Sequence, residues 1–309
     1  MPCNGKIVII GAGHVGSHCA HSLAAFGVGR EIVLIDKLEH VALAQAADIA
    51  DAVTLMPCHP AVHAGGYADC AGADIVVMAA GIAYTPGKTR LDMLADTIAI
   101  MQDILPRLRA SGFYGVLVSI SNPADIVADY LYKGLHLPEG RIFSTGTALD
   151  SARLTRTLAE RYGVDKASVN AFSMGEHGDS QMIPFSAISV SGIPLLQIDP
   201  NPPRELLLER TRMIGMEIVG DKGCTEFGIG MALTQIAKAV LCDEKRVLPV
   251  SARLNGEYGI SGLHAGVPCV VGRNGVERII EVTLTDTERE AFLRSTDLIA
   301  RHNALAATI

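Results

Sequence analysis

Short stretches of this chain hold residue types that can do chemistry together. Gly175-Glu176-His177-Gly178-Asp179-Ser180 sets a histidine in a polar turn among glycines. A histidine that only fills a core is expected among apolar neighbours; this one suits proton transfer near neutral pH. Leu149-Asp150-Ser151-Ala152-Arg153 puts an acid and a base three residues apart, on one face if the segment is helical. Such a carboxylate can orient a histidine and stabilise its protonated form, and such a guanidinium can grip a substrate carboxylate through two parallel hydrogen bonds. The same spacing also fits an ordinary surface ion pair, and spacing alone leaves that reading open. Gly11-Ala12-Gly13-His14-Val15-Gly16 follows an apolar run, and Asp36 comes twenty residues after Gly16. This is the dinucleotide fingerprint: Gly11 permits the tight turn, Gly13 lets the backbone approach a pyrophosphate, and Gly16 lets a helix pack on a strand. The pyrophosphate then faces the positive end of that helix. Asp36 can accept hydrogen bonds from ribose hydroxyls and would repel a 2′-phosphate, so the expected cofactor is NAD and not NADP, with Lys37 next door softening the exclusion.

Positioning these groups requires a regular frame, and the hydropathy pattern supplies one. Apolar runs at 6–10, 31–35, 73–80 and 115–121 read as buried strands ending at Gly11, Asp36, Gly81 and Asn122-Pro123. Helical periodicity over 14–27, 40–54 and 91–110 alternates with them, which predicts a parallel sheet with right-handed crossovers. After about residue 145 the pattern changes to helices at 149–162 and 204–220 with antiparallel-looking strands at 184–191, 267–271 and 276–284. The expected fold class is α/β, a doubly wound parallel sheet over 1–145 that binds the nucleotide, followed by a mixed α+β substrate and catalytic domain over 146–309.

Composition agrees with this frame. Of 309 residues 49% are hydrophobic and 19% charged, which excludes a disordered chain. Aromatics are scarce and Trp is absent, so the core is expected to be aliphatic. The net charge of −7 without runs of like charge argues against a nucleic-acid groove or a polybasic membrane surface. Apolar runs of about six to eight residues are too short to span a bilayer. Met1–Lys6 leads straight into a strand pattern without the layout of a signal peptide, and seven cysteines without a CxxC suggest buried free thiols in a reducing, cytoplasmic compartment. A cysteine nucleophile is the alternative reading. His14, His18 and His21 share one early helix, but no carboxylate or cysteine pattern completes a ligand set there, so no metal is expected.

Gly11–Gly16, Asp36, Ser121-Asn122-Pro123, Leu149–Arg153 and Gly175–Ser180 occur in the order and spacing of the L-lactate/L-malate dehydrogenase family, and the chain resembles that family over nearly its whole length. Toward the end, Pro249-Val250-Ser251 and Gly266-Val267-Pro268 look like strand starts of the family's C-terminal part. The resemblance implies a Rossmann fold and roles for single residues. His177 resembles the acid/base that exchanges a proton with the C2 oxygen, Asp150 its orienting carboxylate, and Arg153 the anchor of the substrate carboxylate. Asn122 resembles the group that hydrogen-bonds the reacting oxygen and borders the cofactor. Arg90 resembles the arginine on a closing loop that polarises the carbonyl, and Gly81 and Gly87 suit such a loop. Thr225 resembles a pocket-wall residue, and Ile229 one that packs near the nicotinamide. A homodimer or homotetramer is implied.

The same resemblance locates the substrate question at Tyr84, where lactate enzymes of the family typically carry Gln and malate enzymes Arg. A second substrate carboxylate buried there would require a cation; Arg90 and Arg153 have other roles, and Lys88 has the look of a solvated helix start. Tyrosine offers an apolar ring with one hydroxyl. The expected substrate is therefore a 2-keto or 2-hydroxy monocarboxylic acid, such as pyruvate or a larger aliphatic analogue. Ser111–Val118, Gly178–Gln181 and Ile236–Val240 resemble the L-2-hydroxyisocaproate dehydrogenase branch, while Pro86-Gly87-Lys88-Thr89-Arg90 keeps the Pro-Gly-x-Thr-Arg loop of the wider family. Malate dehydrogenase and a non-catalytic NAD-binding protein are the alternatives. Thr155 and Asn170 match the positions where some bacterial relatives use cationic residues to bind fructose 1,6-bisphosphate. Neither is cationic, though Arg156 is near, so activation by that phosphate is not expected.

Overall fold

The computed structural model describes residues 3–82 and 90–309, and the side chains of all of these except 90–92. In chain order the elements are β1 (Lys6–Ile10), α1 (His14–Ala25), β2 (Glu31–Ile35), α2 (Glu39–Val53), β3 (Ala61–Ala64), β4 (Ile75–Met78), α3 (Arg90–Ala110), β5 (Val116–Ser119), α4 (Ala124–Leu135) and β6 (Ile142–Ser144). There follow α5 (Ala148–Tyr162), β7 (Val169–Asn170), β8 (Ser189–Val190), β9 (Ile193–Pro194), α6 (Leu195–Ile198), α7 (Arg204–Lys222), α8 (Phe227–Leu241), β10 (Arg246–Asn255), β11 (Ser261–Gly272), β12 (Gly275–Ile279) and α9 (Asp286–Ala306).

Among the described residues one nine-stranded sheet runs in the order β12-β11-β10-β6-β5-β4-β1-β2-β3. The strands from β3 to β6 are parallel neighbours, so their carboxyl ends share one edge. The order reverses around β1, between β2 and β4, the switch point where a doubly wound sheet opens a crevice for ligands. Both faces of the central strands are covered, which is why they read as unbroken apolar runs. Alternate residues serve opposite sides. Ile7, Ile9, Ile32, Leu34, Ile75 and Val77 pack with Leu23 of α1 and Leu233 and Ile236 of α8. Val8, Ile10, Val33, Val76 and Met78 pack with Met101 and Leu108 of α3 and Leu131 of α4. A separate core holds α5, α7 and the small sheet of β7, β8 and β9, around Leu154, Leu158, Phe185 and Leu207. No helix among the described residues is long and apolar enough to cross a membrane.

The structure corrects several expectations. The segment 184–191 is not one strand: the Glu288 carboxylate accepts from Ser186 N and Oγ and draws 185–187 into a 3-10 turn, leaving β8 only two residues. The strand expected at 276–284 ends at Ile279. Pro249 and Gly266 lie inside β10 and β11, not at their starts; Pro249 opposes Pro268, so the two missing N–H donors fall on one rung. β10 pairs antiparallel with β6 through Ser251 and Ser144, so the large sheet continues across residue 145. The cysteines are not all free. Cys3 and Cys242 form a disulfide joining the segment before β1 to the end of α8, two positions brought together across a sequence separation of 239 residues. Cys19, Cys70 and Cys269 are free and buried, and burial pushes the Cys19 and Cys70 thiols up to about 12, which suits packing and not nucleophilic attack.

Candidate active site

The parallel strands deliver two groups of residues to the edge of the crevice. At the end of β1, Gly11 has φ +104° and a side chain there would strike the backbone of Ala79 and Ala80. A Cβ on Gly16 would lie 1.9 Å from the Gly11 carbonyl oxygen, so only glycine lets α1 lie this close to β1. Gly13 has open space where its side chain would be. The Gly13 N-cap carries no side-chain hydrogen bond, so the first N–H groups of α1 remain for a ligand. Asp36 closes the turn: one carboxylate oxygen accepts from Ala12 N at 2.8 Å and the other from Leu38 N at 3.0 Å. An open backbone cradle at a helix start with a carboxylate at the tip of the next strand fits the diphosphate and ribose of NAD. Gly16→Ala is expected to lower both the melting temperature and NADH affinity, by about 1–3 kcal/mol in stability. Thermal unfolding and a fluorescence titration with NADH check this.

The second group centres on Asp150, in the first turn of α5 and 3% exposed at its side chain. Its Oδ2 lies 2.6 Å from His177 Nδ1, and its Oδ1 accepts from Arg153 Nη1 at 3.0 Å. The Asp150–Arg153 pair is thus buried and not a surface pair, with Arg153 only 10% exposed. Burial alone would raise the Asp150 carboxyl, but the His177 and Arg153 charges and hydrogen bonds outweigh it and hold it below its usual value. An ionised carboxylate only accepts, so Nδ1 carries the hydrogen and Nε2 is the nitrogen left for a substrate. The Asp150 charge in turn raises His177 above its ordinary 6.5, against the opposing effects of burial and Arg153. The guanidinium of Arg153 lies against Gly215 of α7, where a Cβ would lie 3.0 Å from Nη1.

The histidine turn is tied down on several sides. Gly175 and Gly266 exchange backbone hydrogen bonds, fastening the turn to β11. Gly175 has φ +88°, and a side chain there would strike Ser295 of α9, whose Oγ accepts from Glu176 N at 2.8 Å. The Glu176 carboxylate folds back onto Ser180 Oγ at 2.5 Å. His177 N donates to Asp125 Oδ2 at 2.8 Å, and Ser251 Oγ donates to the other oxygen of Asp125. The sequence gives Asp125, Ser295 and Gly215 no prominence and marks Ser251 only as part of a strand start; an acid at 125 has only the ordinary signal of a helix first turn.

Asn122 stands at the carboxyl end of the parallel sheet with an exposed side chain, three residues before Asp125. Its peptide bond to Pro123 is cis, and Thr97 of α3 donates to its carbonyl. Arg90 opens α3. Thr225 and Ile229 border the α7–α8 turn, which fits close to both groups: a Cβ on Gly228 would strike Leu149, next to Asp150, and one on Gly230 would strike Ser22 of α1. The structure therefore brings His177, Asp150 and Arg153 into contact and gathers Gly11, Gly13, Gly16 and Asp36 around one turn. Tyr84, Gly87 and Lys88 lie outside the described residues. His18 meets Glu226 at 2.9 Å, and no group of three or more metal-ligating side chains occurs among the described residues.

Residues 5–144 match the family described as lactate/malate dehydrogenase, NAD binding domain, and residues 147–303 match lactate/malate dehydrogenase, alpha/beta C-terminal domain. L-lactate dehydrogenase 3 of Bacillus cereus is 40% identical over 301 residues, 95% of either chain. L-lactate dehydrogenase of Fusobacterium nucleatum is 38% identical over 93% of this chain and 92% of its own. Among solved structures, the ligand-bound minor L-lactate dehydrogenase of Enterococcus mundtii superposes with a TM-score of 0.94 at 36% identity, covering 99% of both chains. The apo malate dehydrogenase of Picrophilus torridus superposes with a TM-score of 0.93 at 32% identity, covering 98% of both.

Proposed function

Because the chain belongs to the lactate/malate dehydrogenase family, we propose that the His177–Asp150–Arg153 cluster is its catalytic centre and that a 2-keto monocarboxylic acid is the substrate. The protein is an NAD-dependent dehydrogenase of the lactate type. The observation that carries the reading of the site is the buried Asp150 carboxylate, which holds a histidine on one oxygen and an arginine on the other. We take residues 1–145 as the nucleotide half and 146–309 as the substrate half.

NAD, when bound, accepts or supplies the hydride at C2 of the substrate. Arg153 binds the substrate carboxylate through its guanidinium fork, which fixes which face of C2 is presented. His177 holds the proton that the C2 oxygen gains on reduction and takes it back on oxidation. Asp150 keeps the imidazole in one tautomer and stabilises imidazolium. Asn122 hydrogen-bonds the reacting oxygen, and Arg90 is assigned to stabilise the charge that develops there. Gly11, Gly13, Gly16 and Asp36 bind the dinucleotide, with Asn122 and Ile229 beside the nicotinamide, and Thr225 contributes to the pocket wall. At position 84 the tyrosine favours a substrate with an uncharged end, because a second buried carboxylate there would lack a cation. A malate-type activity is the competing reading, supported by the likeness to a malate dehydrogenase structure.

Exposed apolar side chains on α2 and α7, Leu43, Met213 and Met216 among them, favour a homodimer or homotetramer. Nothing in the charge balance favours a nucleic-acid or membrane partner, and a cytoplasmic location is proposed from the NAD supply the reaction needs, since the Cys3–Cys242 disulfide removes the cysteine argument. The function is tested by mixing the purified protein with NADH and pyruvate or 2-ketoisocaproate and following absorbance: oxidation equimolar with hydroxy acid formed is expected, and none with either acid would refute it.

The pH dependence has a definite sign. Reduction needs protonated His177, whose affinity for the proton is raised chiefly by Asp150. The rate is therefore expected to hold through neutral pH and fall on an alkaline limb. Asp150→Asn removes the largest cause of that shift and should move the limb to lower pH, besides lowering kcat. A pH profile of kcat/KM for reduction at saturating NADH measures both.

A further inference from the structure

Asp125 is charged chemistry in an expensive place. It sits in the first turn of α4 with 2% of its surface exposed, and it meets the proposed catalytic cluster through the backbone of His177 and not through a side chain. Its oxygens reach far along the chain, to His177 N at 2.8 Å, 52 residues away, and to Ser251 Oγ, 126 residues away. Ser251 is itself a junction. It is paired with Ser144 of β6 and Gly266 of β11, and a Cβ on Gly146, just before α5, would lie 2.4 Å from its nitrogen. The strand end carrying Asn122, the start of α5 with Asp150, and the histidine turn therefore meet at one carboxylate.

We propose that Asp125 is a positioning residue for the reaction: its carboxylate fixes the main chain at His177 relative to Asn122 and adds a second negative charge beside the histidine turn. The proposal rests on the reading of His177 as the acid/base. One backbone and one hydroxyl donor do not repay the burial of an ion, and an amide of the same shape would still accept from His177 N at lower cost. Burial pushes the Asp125 carboxyl up to about 6, against the pull of Ser251, His177 N and the His177 charge, so its charge is expressed toward the alkaline limb and lost on acidification. The other charged groups around the pair are Glu176 on the same turn and Asp150 and Arg153 on α5. One turn along α4, the Asp129 carboxylate is met by Lys133, Arg253 and His264. The charge of Asp125 acts on His177 in the same direction as that of Asp150, and that of Arg153 in the opposite one.

The test separates the charge from the tether. Asp125→Asn keeps the size and an acceptor for His177 N, loses the charge, and reverses the bond to Ser251 Oγ, which must then accept from the amide. The alkaline limb of kcat/KM for pyruvate reduction is expected to move to lower pH by about half a unit to one unit, with NADH affinity unchanged. Ser251→Ala keeps the charge but releases one carboxylate oxygen; kcat is expected to fall about threefold to tenfold with the limb in place. An Asp125→Asn limb that overlays the parent's overturns the proposal. If Asp125→Asn does not fold, a Ser251→Ala enzyme with parental kcat overturns it. Activity surviving in His177→Ala would instead remove the reading of His177, so the two failures are distinguishable.

Discussion

His177→Ala is expected to lower kcat for keto-acid reduction by about a hundredfold to ten-thousandfold, the range a positioned acid/base contributes. NADH affinity should change little, because the glycine turn and Asp36 follow β1 and β2 and make no contact with the histidine turn among the described hydrogen bonds. The variant should fold: Gly175–Gly266, Glu176–Ser295 and His177 N–Asp125 all use groups that alanine retains. Its Asp150 would lose its imidazole partner but keep Arg153. Steady-state kinetics beside an NADH fluorescence titration check the result. Near-parental turnover would move the proton-transfer role to another residue, and a matching loss of NADH binding would mean that the substitution had disturbed the fold.

Arg153→Leu is the second large effect. The guanidinium is 10% exposed and held by Asp150, so its removal leaves Asp150 one donor short and, in the role proposed for it, strips the substrate carboxylate of its partner. Loss of one member of a buried hydrogen-bonded ion pair costs about 2–5 kcal/mol, or roughly thirty- to five-thousand-fold in kcat/KM. The loss should appear in KM for every 2-keto acid and in kcat through the disturbed Asp150–His177 pair. Arg153→Lys keeps the charge without the fork and should recover only part of it. A uniform loss across keto acids of different tail length is the signature of a carboxylate anchor; a loss confined to long tails would assign Arg153 to the pocket wall.

The dinucleotide turn was legible in the sequence because its physics is local. Gly11, Gly13 and Gly16 are needed within one strand–turn–helix unit, and Asp36 follows at the end of the adjacent strand. His177 was legible from its polar neighbours, and Asp150 with Arg153 from their spacing, although spacing did not separate a surface pair from a buried one. That distinction comes from the α5–α7 packing, where Gly215 leaves room for the guanidinium. Asp125 was not legible. An acid in a first helical turn is the ordinary complement of a helix dipole, and its burial depends on β10, whose Ser251 lies 126 residues on. Long-range pairing also hid the junction of β6 with β10 and the contact of Cys3 with Cys242. The α8 helix was hidden for a different reason. Gly228 and Gly230 have weak helix propensity, and both are glycine because Leu149 and Ser22 leave no room for a side chain.

The central claim, a lactate-type dehydrogenase acting on a monocarboxylic keto acid, is tested most directly by one comparison. Initial rates of NADH oxidation are measured across concentrations of pyruvate, 2-ketoisocaproate, phenylpyruvate and oxaloacetate, with the same preparation at neutral pH. The account predicts the highest kcat/KM for one of the three monocarboxylates and a value for oxaloacetate at least about tenfold lower, since the role proposed for position 84 gives a second carboxylate a tyrosine in place of a cation. A kcat/KM for oxaloacetate above all three would contradict it and make the chain a malate-type enzyme.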